Sequence, residues 1–504
     1  MNRILPALII SAISGLCQPA TDYATAASYV RSGQPAAAIP LLERILAATP
    51  GDLKARNLLG IALLNSDRRE DAAIQFKEAL RIDPDFQPAL RNLGVAEMAL
   101  GRRADAKRTF ERLLKLAPAD PVAHLYMGEI SFGEGRYAEA LLHYRQSGDL
   151  HLKDPPVVLH FVRSAIETKQ YTAAEQALDH LPPASAELHF EAGLLLAGVQ
   201  RFELAARQFL MAPGYPDRYQ AGFNLALVYL RARNYQAAIQ TAEPLVRDYT
   251  KGELYNVLGR AYDGAGRTQE AYDALRAATK TDPQDETNYL DLMSLCLSHE
   301  NWDLSLQIAD VALNHIAGAW RVQLQRGAVL AMQGKLDDAA REFAAASRKA
   351  PDASLPLAAL AVLQIERKEP EQAVQALRGY RAGHPKDYLV DWFLGEALVQ
   401  SGAEQEAVEA LQEAVRLNAA GVPPRVLLGK LLAKRGDSES AMRQFEEALK
   451  HSPSDVGAMY QLALLYRKAG NTKRAEELMA KVGKATSVPD APQVTVRDLV
   501  RIVR

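Results

Sequence analysis

The sequence repeats itself with a period of about 34 residues, which limits the chain to folds built by stacking one small unit. Residues 252–285 are the clearest copy, and repeat positions are counted from residue 252. Positions 4, 7, 8, 11, 15, 20, 24, 27 and 32 of this copy hold Tyr255, Leu258, Gly259, Tyr262, Gly266, Ala271, Leu275, Ala278 and Pro283. A single copy cannot bury its own apolar face, whereas stacked copies can.

The spacing within a copy predicts two helices joined by a turn. Large apolar residues at positions 4, 7, 11 and 24 recur at helical spacing and are expected between the helices. Small residues at positions 8 and 20 let the two helices approach closely. The proline at position 32 ends the second helix. An aspartate two residues later is expected to accept hydrogen bonds from the free N–H groups of the next helix; it occurs as Asp52, Asp120, Asp285, Asp387 and Asp455.

These residues closely resemble the tetratricopeptide repeat, a helix-turn-helix family, and the resemblance covers residues 19 to about 482. It implies an all-α fold, a right-handed superhelical solenoid of about fourteen such units. The tail is not a repeat: after a linker, Thr495 and Asp498 are spaced as in a capping box and predict a short C-terminal capping helix.

Four segments are expected along the chain: a signal peptide over residues 1–20, an N-terminal stack over 21–183, a C-terminal stack over 184–482, and the linker with the capping helix over 483–504. The division near residue 183 follows from proline-rich joins at residues 182–183 and 211–216, where the register slips. Ordinary drift of the repeat sequence explains these joins equally well.

The N-terminus has the pattern of a secretory signal peptide. Arg3 precedes an apolar run over residues 4–16, and small residues follow. This predicts export to the periplasm or beyond, with a first helix of the array as the alternative. Cys17 would be the site of a lipid anchor, but the bulky Leu16 before it departs from the lipoprotein pattern. No later run approaches the length of a membrane-spanning helix, so no integral span is expected once the signal is removed.

Charge and motifs argue against several classes of function. Lys and Arg number 59 and Asp and Glu 61, without a basic block, so no nucleic-acid partner is expected. The sequence has no HExxH, CxxC, phosphate loop or GxSxG elbow, so no enzyme, cofactor or metal site is predicted. Cys296, at repeat position 11, is expected to be a buried core thiol.

The family resemblance implies that positions 2, 5, 9 and 12 of the first helices point into a concave groove. The ten candidate partner-binding residues at these positions are Phe190, Leu194, Phe223, Leu227, Leu230, Arg260, Leu290, Leu324, Trp392 and Tyr460. Further apolar residues there are Ile61, Leu64, Val95, Met98, Leu125, Phe132, Leu297, Val362, Ile365, Leu389, Val399, Val426 and Leu464. Exposed apolar patches usually mark interaction surfaces, but a tightly wound superhelix would bury part of this set as core.

The function expected from this groove is a non-catalytic scaffold that binds a partner protein or peptide. The alternative is an envelope assembly factor, with or without a lipid anchor, for polysaccharide export or outer-membrane assembly, and it rests on family analogy alone. An enzyme with an undetected site is the third hypothesis. The sequence leaves open the partner and whether the protein forms a homo-oligomer.

Overall fold

The computed structural model describes residues 19–483, with side chains from residue 21 onward. These residues form 28 α-helices and one short 3-10 helix, Gly148–Leu152, and no β-strand. The fold is all-α, as the sequence predicts. The predicted signal peptide up to residue 18, with Cys17, and the predicted capping helix lie outside the described residues.

The chain divides into two compact units after Ala232. This division falls inside the seventh repeat, between its helices Arg218–Arg231 and Tyr235–Asp248. The first of these helices belongs to the N-terminal unit and the second to the C-terminal unit. The boundary that the proline-rich joins suggest, near residue 183, stays a prediction.

The N-terminal unit contains thirteen described helices. They are α1 (Pro19–Arg31), α2 (Pro35–Ala48), α3 (Leu53–Asn65), α4 (Arg69–Ile82), α5 (Gln87–Ala99), α6 (Arg103–Leu116), α7 (Pro121–Gly133), α8 (Tyr137–Gln146), α9 (Pro155–Glu167), α10 (Tyr171–Leu178), α11 (Ala186–Gly198), α12 (Phe202–Leu210) and α13 (Arg218–Arg231).

The C-terminal unit contains fifteen described helices. They are α14 (Tyr235–Asp248), α15 (Gly252–Gly264), α16 (Thr268–Thr281), α17 (Glu286–Ser298), α18 (Trp302–His315), α19 (Trp320–Met332), α20 (Leu336–Lys349), α21 (Ser354–Glu366), α22 (Pro370–Gly383), α23 (Tyr388–Gln400), α24 (Glu404–Leu417), α25 (Val422–Lys434), α26 (Ser438–His451), α27 (Val456–Lys468) and α28 (Thr472–Val482).

Odd-numbered helices are the first helices of the repeats, and even-numbered helices are the second. Within each unit the helices pack on the next helix in the chain, as expected of a solenoid, except that α10 and α11 both pack on α9 instead of on each other. Contacts that skip one helix join first helices, for example α3 with α5 and α7 with α9, or α15 with α17 and α23 with α25. The first helices therefore lie side by side and form one face of each unit, which we call the inner face. The second helices form the outer face.

A glycine at position 8 packs on a large side chain at position 24 in most repeats. A Cβ at Gly94 would lie 2.5 Å from a ring carbon of Phe110, far inside normal contact distance. In the ninth repeat, formed by α17 and α18, the large side chain is on the first helix and the small one on the second: Met293 stands at position 8 and Ala309 at position 24, and both are fully buried. The two positions together thus set the separation of the helices in a repeat.

The turn between the two helices needs a left-handed backbone at position 15. All fourteen residues there have positive φ: Gly33, Asp67, Gly101, Gly135, Lys169, Gln200, Arg233, Gly266, Glu300, Gly334, Lys368, Gly402, Gly436 and Gly470. Glycine adopts this conformation without steric strain, whereas other L-residues are strained in it. Six repeats therefore carry a strained turn.

We expect Gly94→Ala to lower the free energy of unfolding by about 1–3 kcal/mol, because the new methyl group overpacks against Phe110. Adding Phe110→Leu should restore part of this loss, since alanine and leucine already stand together at these positions as Ala361 and Leu377. Urea denaturation of the single and double variants measures the coupling. Gly379→Ala is the control: Gly379 lies inside α22 with nothing within 4 Å of its Cβ direction, so alanine should not destabilise it. Equal losses at both sites would contradict the packing argument.

We expect Lys368→Gly to raise the free energy of unfolding by about 1 kcal/mol, because it relieves the strain of φ +62°. The reverse change, Gly402→Lys, places a side chain at φ +82° with no atom within 4 Å, so any loss comes from the backbone alone. It should lower stability by a similar amount. Thermal and urea unfolding of both variants checks the signs; a destabilised Lys368→Gly protein would show that the lysine side chain outweighs the strain.

Candidate functional site

Aspartate caps position the first helices, as the sequence predicts. Asp52, Asp120, Asp285, Asp387 and Asp455 each accept a hydrogen bond from a backbone N–H in the first turn of α3, α7, α17, α23 and α27. These five predictions are confirmed, and each cap satisfies N–H groups that the helix itself leaves unpaired.

Asp120 joins two first helices as well as capping one. Arg91 Nε on α5 donates to its Oδ2 at 2.8 Å. Burial would raise the pKa of Asp120, but hydrogen bonds from Arg91 and from the N–H groups of Ala123 and Val122 lower it overall. The carboxylate therefore stays charged and holds α5 to the start of α7.

Polar side chains at position 4 link the two helices of several repeats, a role that the sequence analysis missed. Arg56 Nη1 donates to Gln75 Oε1 at 3.1 Å on the second helix, and Nη2 donates to the Pro50 carbonyl at 2.7 Å. Arg425 makes the same pair of contacts, with Gln444 at 3.1 Å and the Ala419 carbonyl. The expectation of large apolar residues at position 4 is wrong in these repeats.

Two histidines occupy position 4 in the same way. His189 lies 2.8 Å from Gln208 Oε1, and His124 Nδ1 lies 3.0 Å from His143 Nδ1. Their other ring nitrogens lie within hydrogen-bond distance of the Pro182 and Pro118 carbonyls. The partner at position 23 always follows nineteen residues later, so this spacing is the sequence signal that would have revealed the link.

All ten candidate partner-binding residues lie on first helices, but five of them are buried. Phe190, Leu230, Leu290, Leu324 and Trp392 are each at most 8% exposed. The Phe190 ring stacks on Tyr215 at 3.9 Å, and the Trp392 ring stacks on Phe393 at 4.6 Å. These five side chains are core in the described chain, which is the alternative that the sequence left open.

The other five candidates are accessible to different degrees. Leu194 on α11 is 42% exposed. Phe223 and Leu227 on α13, Arg260 on α15 and Tyr460 on α27 are half-buried. Arg260 Nε lies 3.9 Å from Asp291 on the next first helix. That a partner contacts these residues stays a prediction.

Accessible apolar side chains concentrate at one place on the inner face of the N-terminal unit. We call them the N-terminal apolar stripe: Ile61, Leu64, Val95, Met98, Leu125 and Phe132. All six are half-buried and pack against the core without being covered by it. They lie on α3, α5 and α7, three first helices that contact one another in sequence.

The inner face of the C-terminal unit is more closed. At the same repeat positions Leu290, Leu324, Val362, Trp392 and Val426 are buried. Half-buried residues remain between them, namely Leu297, Ile365, Leu389, Val399 and Leu464. The apolar positions of this unit are thus divided between core and accessible surface.

One end of the N-terminal apolar stripe is polar. Glu129 accepts a hydrogen bond from the Tyr144 hydroxyl at 2.7 Å and lies 3.0 Å from His160 Nδ1. Burial would raise the pKa of Glu129, but His160 and Tyr144 lower it overall, so the carboxylate is charged at neutral pH. The Phe132 ring stacks on His160 at 4.1 Å, which places this fixed charge beside the stripe.

Arg163 adds a guanidinium near the same polar end. It lies over the Tyr137 ring at 5.9 Å. Its Nε is buried without a hydrogen-bond partner among the described residues. The polar end of the stripe therefore carries both a carboxylate and a guanidinium.

Two polar residues of the first helices, Asn57 and Arg91, are engaged within the protein. Asn57 Oδ1 accepts from Asn92 Nδ2 at 3.0 Å, and Arg91 binds Asp120. The structure gives them a role in joining neighbouring first helices.

Helix α23 carries two buried carboxyl groups. Asp391 is 1% exposed and lies 2.8 Å from Arg381 Nε; burial raises its pKa to about 6 despite this cation. Glu396 is 8% exposed, and burial raises its pKa to about 7. Within residues 19–483 no hydrogen bond or ion pair compensates the Glu396 charge.

Cys296 is buried on α17, which confirms the prediction of a core thiol. Burial raises its pKa to about 11, so it is a thiol at neutral pH. Among residues 19–483 no group of three His, Cys, Asp or Glu side chains is placed to hold a metal ion. No helix of this part of the chain has the length and apolar character to cross a membrane.

We expect Glu396→Gln to stabilise the protein in a pH-dependent way. The folded pKa of about 7 is above the unfolded value of 4.5, so the native state favours the protonated carboxyl and loses stability as pH rises from 4.5 through 7. Glutamine removes this penalty, which is about 3 kcal/mol at pH 8 and about 1 kcal/mol or less at pH 5. Urea unfolding at both pH values measures it, with Glu371→Gln, an exposed residue of α22, as the control. A gain that is the same at pH 5 and pH 8 would contradict the buried charge.

Comparison with solved structures finds chains of low identity. The crystal structure of yeast Tom70 is 15% identical, with 96% of this chain and 95% of that chain covered and a TM-score of 0.43. The crystal structure of the APC/C hetero-tetramer Cut9-Hcn1 is 12% identical, with coverages of 89% and 96% and a TM-score of 0.36. MamA is 22% identical over 31% of this chain and 92% of its own, with a TM-score of 0.29. No curated protein matches the chain.

Family models described as tetratricopeptide repeat match most of the sequence. One matches residues 23–85, 91–148, 223–286 and 358–422. A second matches residues 131–198 and 432–491. Together the matches cover well over half of the chain, in agreement with the helix pairs and the glycine packing of the structure. The chain belongs to the tetratricopeptide repeat family.

Proposed function

We propose that this protein is a scaffold that binds a partner protein, without catalysis of its own, and that the N-terminal apolar stripe is its primary binding surface. The observation that carries the proposal is the accessibility of Ile61, Leu64, Val95, Met98, Leu125 and Phe132 on three adjacent first helices. Contiguous exposed apolar surface on a soluble protein usually marks an interaction site.

The spacing of these side chains supports a helical or extended peptide as the bound element. Ile61 and Leu64 lie on one helix face, and Val95 and Met98 repeat them 34 residues later on α5. Two apolar side chains per first helix form rows across neighbouring helices, and such rows accept the apolar face of an amphipathic helix. Leu194, Phe223 and Leu227 would extend this surface toward α11 and α13.

The polar end of the stripe would orient the partner. Glu129 is held in place by Tyr144 and His160, and Arg163 lies nearby with a buried unpaired Nε. A partner that carries polar or charged residues beyond its apolar face would match this end. Charged groups of this kind set orientation and specificity more than affinity.

The cellular setting is also a proposal, and it rests on the first residues of the sequence. Arg3, the apolar run over residues 4–16 and the small residues after it support export to the periplasm or beyond. Cys17 leaves a lipid anchor as the alternative. Export would suit a role as an envelope assembly factor for polysaccharide export or outer-membrane assembly, which family analogy alone supports.

The test is photo-crosslinking in the native cell, with the crosslinking residue at Met98 in the stripe. We expect a discrete adduct from Met98 and none from Glu111, an exposed residue of the same repeat on α6. In a second experiment, Met98→Asp should abolish the adduct from a crosslinker at Val95. Aspartate is compatible with the fold here because Asp263 stands at the same repeat position in α15.

The same cells test the remaining parts of the proposal. A crosslinker at Phe223, with Arg341 on the outer face as its control, probes the extension of the surface to α13. A folded protein that gives no adduct from Met98 or Phe223 would contradict binding at the inner face. Recovery of the protein from the cytoplasm with residues 1–20 still attached would contradict export, and an acyl group on Cys17 would establish the anchored form.

A further inference from the structure

The outer face of the C-terminal unit contains a pocket separate from the inner-face stripe. Its volume is about 250 Å³, and it lies between the second helices α16 and α18 and the first helix α17. Tyr289 and Ile308 are buried at its base, and Val311 is 48% exposed beside them. Arg276 and Lys280 line its α16 side.

Comparison among the repeats shows that stacking does not need apolar residues at two positions of this pocket. Leu304 lines the pocket at repeat position 19. Six other repeats carry a carboxylate there: Asp71, Asp105, Glu139, Glu270, Asp338 and Glu406. Val311 stands at position 26, where other repeats carry Glu78, Arg112, Glu413 and Glu447. A charged outward side chain is thus compatible with the repeat at both positions, and α18 has apolar residues instead.

The spacing on α18 makes these residues one surface. Leu304, Ile308 and Val311 are four and three residues apart, so they lie on the same side of the helix. Leu304 is half-buried and Val311 is exposed, so the apolar row runs from the base of the pocket to its rim.

Two cations border this row without an internal counter-ion. Arg276 and Lys280 are exposed, four residues apart on α16, and within residues 19–483 neither forms an ion pair. Two carboxylates on the helices that border the pocket are engaged elsewhere: Asp273 on α16 accepts from Gln269 at 3.2 Å, and Asp310 on α18 lies 3.2 Å from Arg326 Nη2. Asp282, at the end of α16, forms no ion pair with either cation among the described residues.

Tyr289 is a titratable side chain at the base of the pocket. Burial and then the charge of Asp282 raise the pKa of Tyr289, so its hydroxyl is neutral. It donates to the Pro283 carbonyl at 3.3 Å. Tyr289 therefore adds no charge at the base of the pocket, and the positive charge lies at the rim on α16.

We propose that this pocket binds a peptide segment of a partner protein in which a bulky aliphatic side chain is flanked by carboxylates. The aliphatic side chain would enter between Ile308 and Val311, and the carboxylates would pair with Arg276 and Lys280. The volume favours one such side chain, because pockets for whole small-molecule ligands are usually about 300–1,000 Å³. Charge complementarity at the rim favours an acidic sequence.

This inference does not depend on the proposed function of the inner face. The pocket is in the C-terminal unit and on its outer side, whereas the stripe is in the N-terminal unit on the inner side. Loss of one surface by substitution therefore leaves the other in place, and the two proposals fail or hold separately.

The test uses the full chain and a fluorescein-labelled peptide in which one leucine is flanked on each side by two glutamates. Fluorescence anisotropy at low salt should give saturable binding, at least tenfold tighter than for the same peptide with serine in place of leucine. Binding should weaken as salt rises, because the rim pairs are exposed. Equal binding of the leucine and serine peptides would overturn the proposal.

Matched variants locate the site. Val311→Glu introduces the residue that Glu413 and Glu447 supply at this position, so the fold should be retained, and it should weaken binding at least tenfold. Lys280→Glu should also weaken binding at least tenfold. Lys115→Glu, at the same position of the third repeat, should leave binding unchanged. Circular dichroism confirms folding of each variant. Unchanged binding by both pocket variants would refute the site.

Two other occupants are separate outcomes of the same experiment. Binding of laurate but not of the leucine peptide would show a fatty acid site and overturn the peptide proposal. If a second copy of the chain occupies the pocket, sedimentation would show self-association of the wild type and none of Val311→Glu. This result too would overturn the peptide proposal. The leucine peptide binding to the wild type, and not to Val311→Glu or Lys280→Glu, is the outcome that supports it.

Discussion

The rest of the structure depends on one contact, the packing of repeat position 8 on position 24. The first and second helices of a repeat meet there, and the combined size of the two residues sets their distance. Gly94 with Phe110 and Met293 with Ala309 are opposite solutions to the same constraint, with the large side chain on either helix. Because each repeat packs on the next, an error in this distance would be passed along the stack.

The positions fixed within one repeat are the ones that the sequence predicted well. The helix pair, the aspartate caps and the buried Cys296 follow from residues close together in the chain, and the structure confirms them. The left-handed turn is also local, but it was not predicted: glycine stands at position 15 as Gly266, whereas Glu300 and Lys368 take the same conformation without glycine. Local geometry overrides residue preference there because both flanking helices are held by their own packing.

Burial on the inner face could not be read from one repeat. Position 5 is half-buried as Leu125 but buried as Leu324 and Trp392, because neighbouring helices and loops decide what covers it. Phe190 is covered by Tyr215, which lies beyond the next helix in the chain. The polar links at position 4 were missed for a related reason, since Arg56 and Gln75 are nineteen residues apart and only the helix pair brings them together. The polar links lie within one repeat and could have been found from that spacing, whereas burial on the inner face depends on contacts between repeats, which a 34-residue pattern does not contain.

The two helices of a repeat pack differently, and this difference explains where binding surfaces can form. First helices pack on both neighbours, so their accessible apolar residues are those that no neighbour covers, as on α3, α5 and α7. Second helices use one side for packing and leave the other to solvent, where charge keeps the surface soluble. An apolar residue on that outward side, such as Val311, therefore contributes little to the stack and reduces solubility. Ile74, Leu142 and Leu210 are exposed in the same way. What distinguishes Val311 is the pocket beside it and the two cations, Arg276 and Lys280, at the rim of that pocket, and the proposed acidic segment would match this combination.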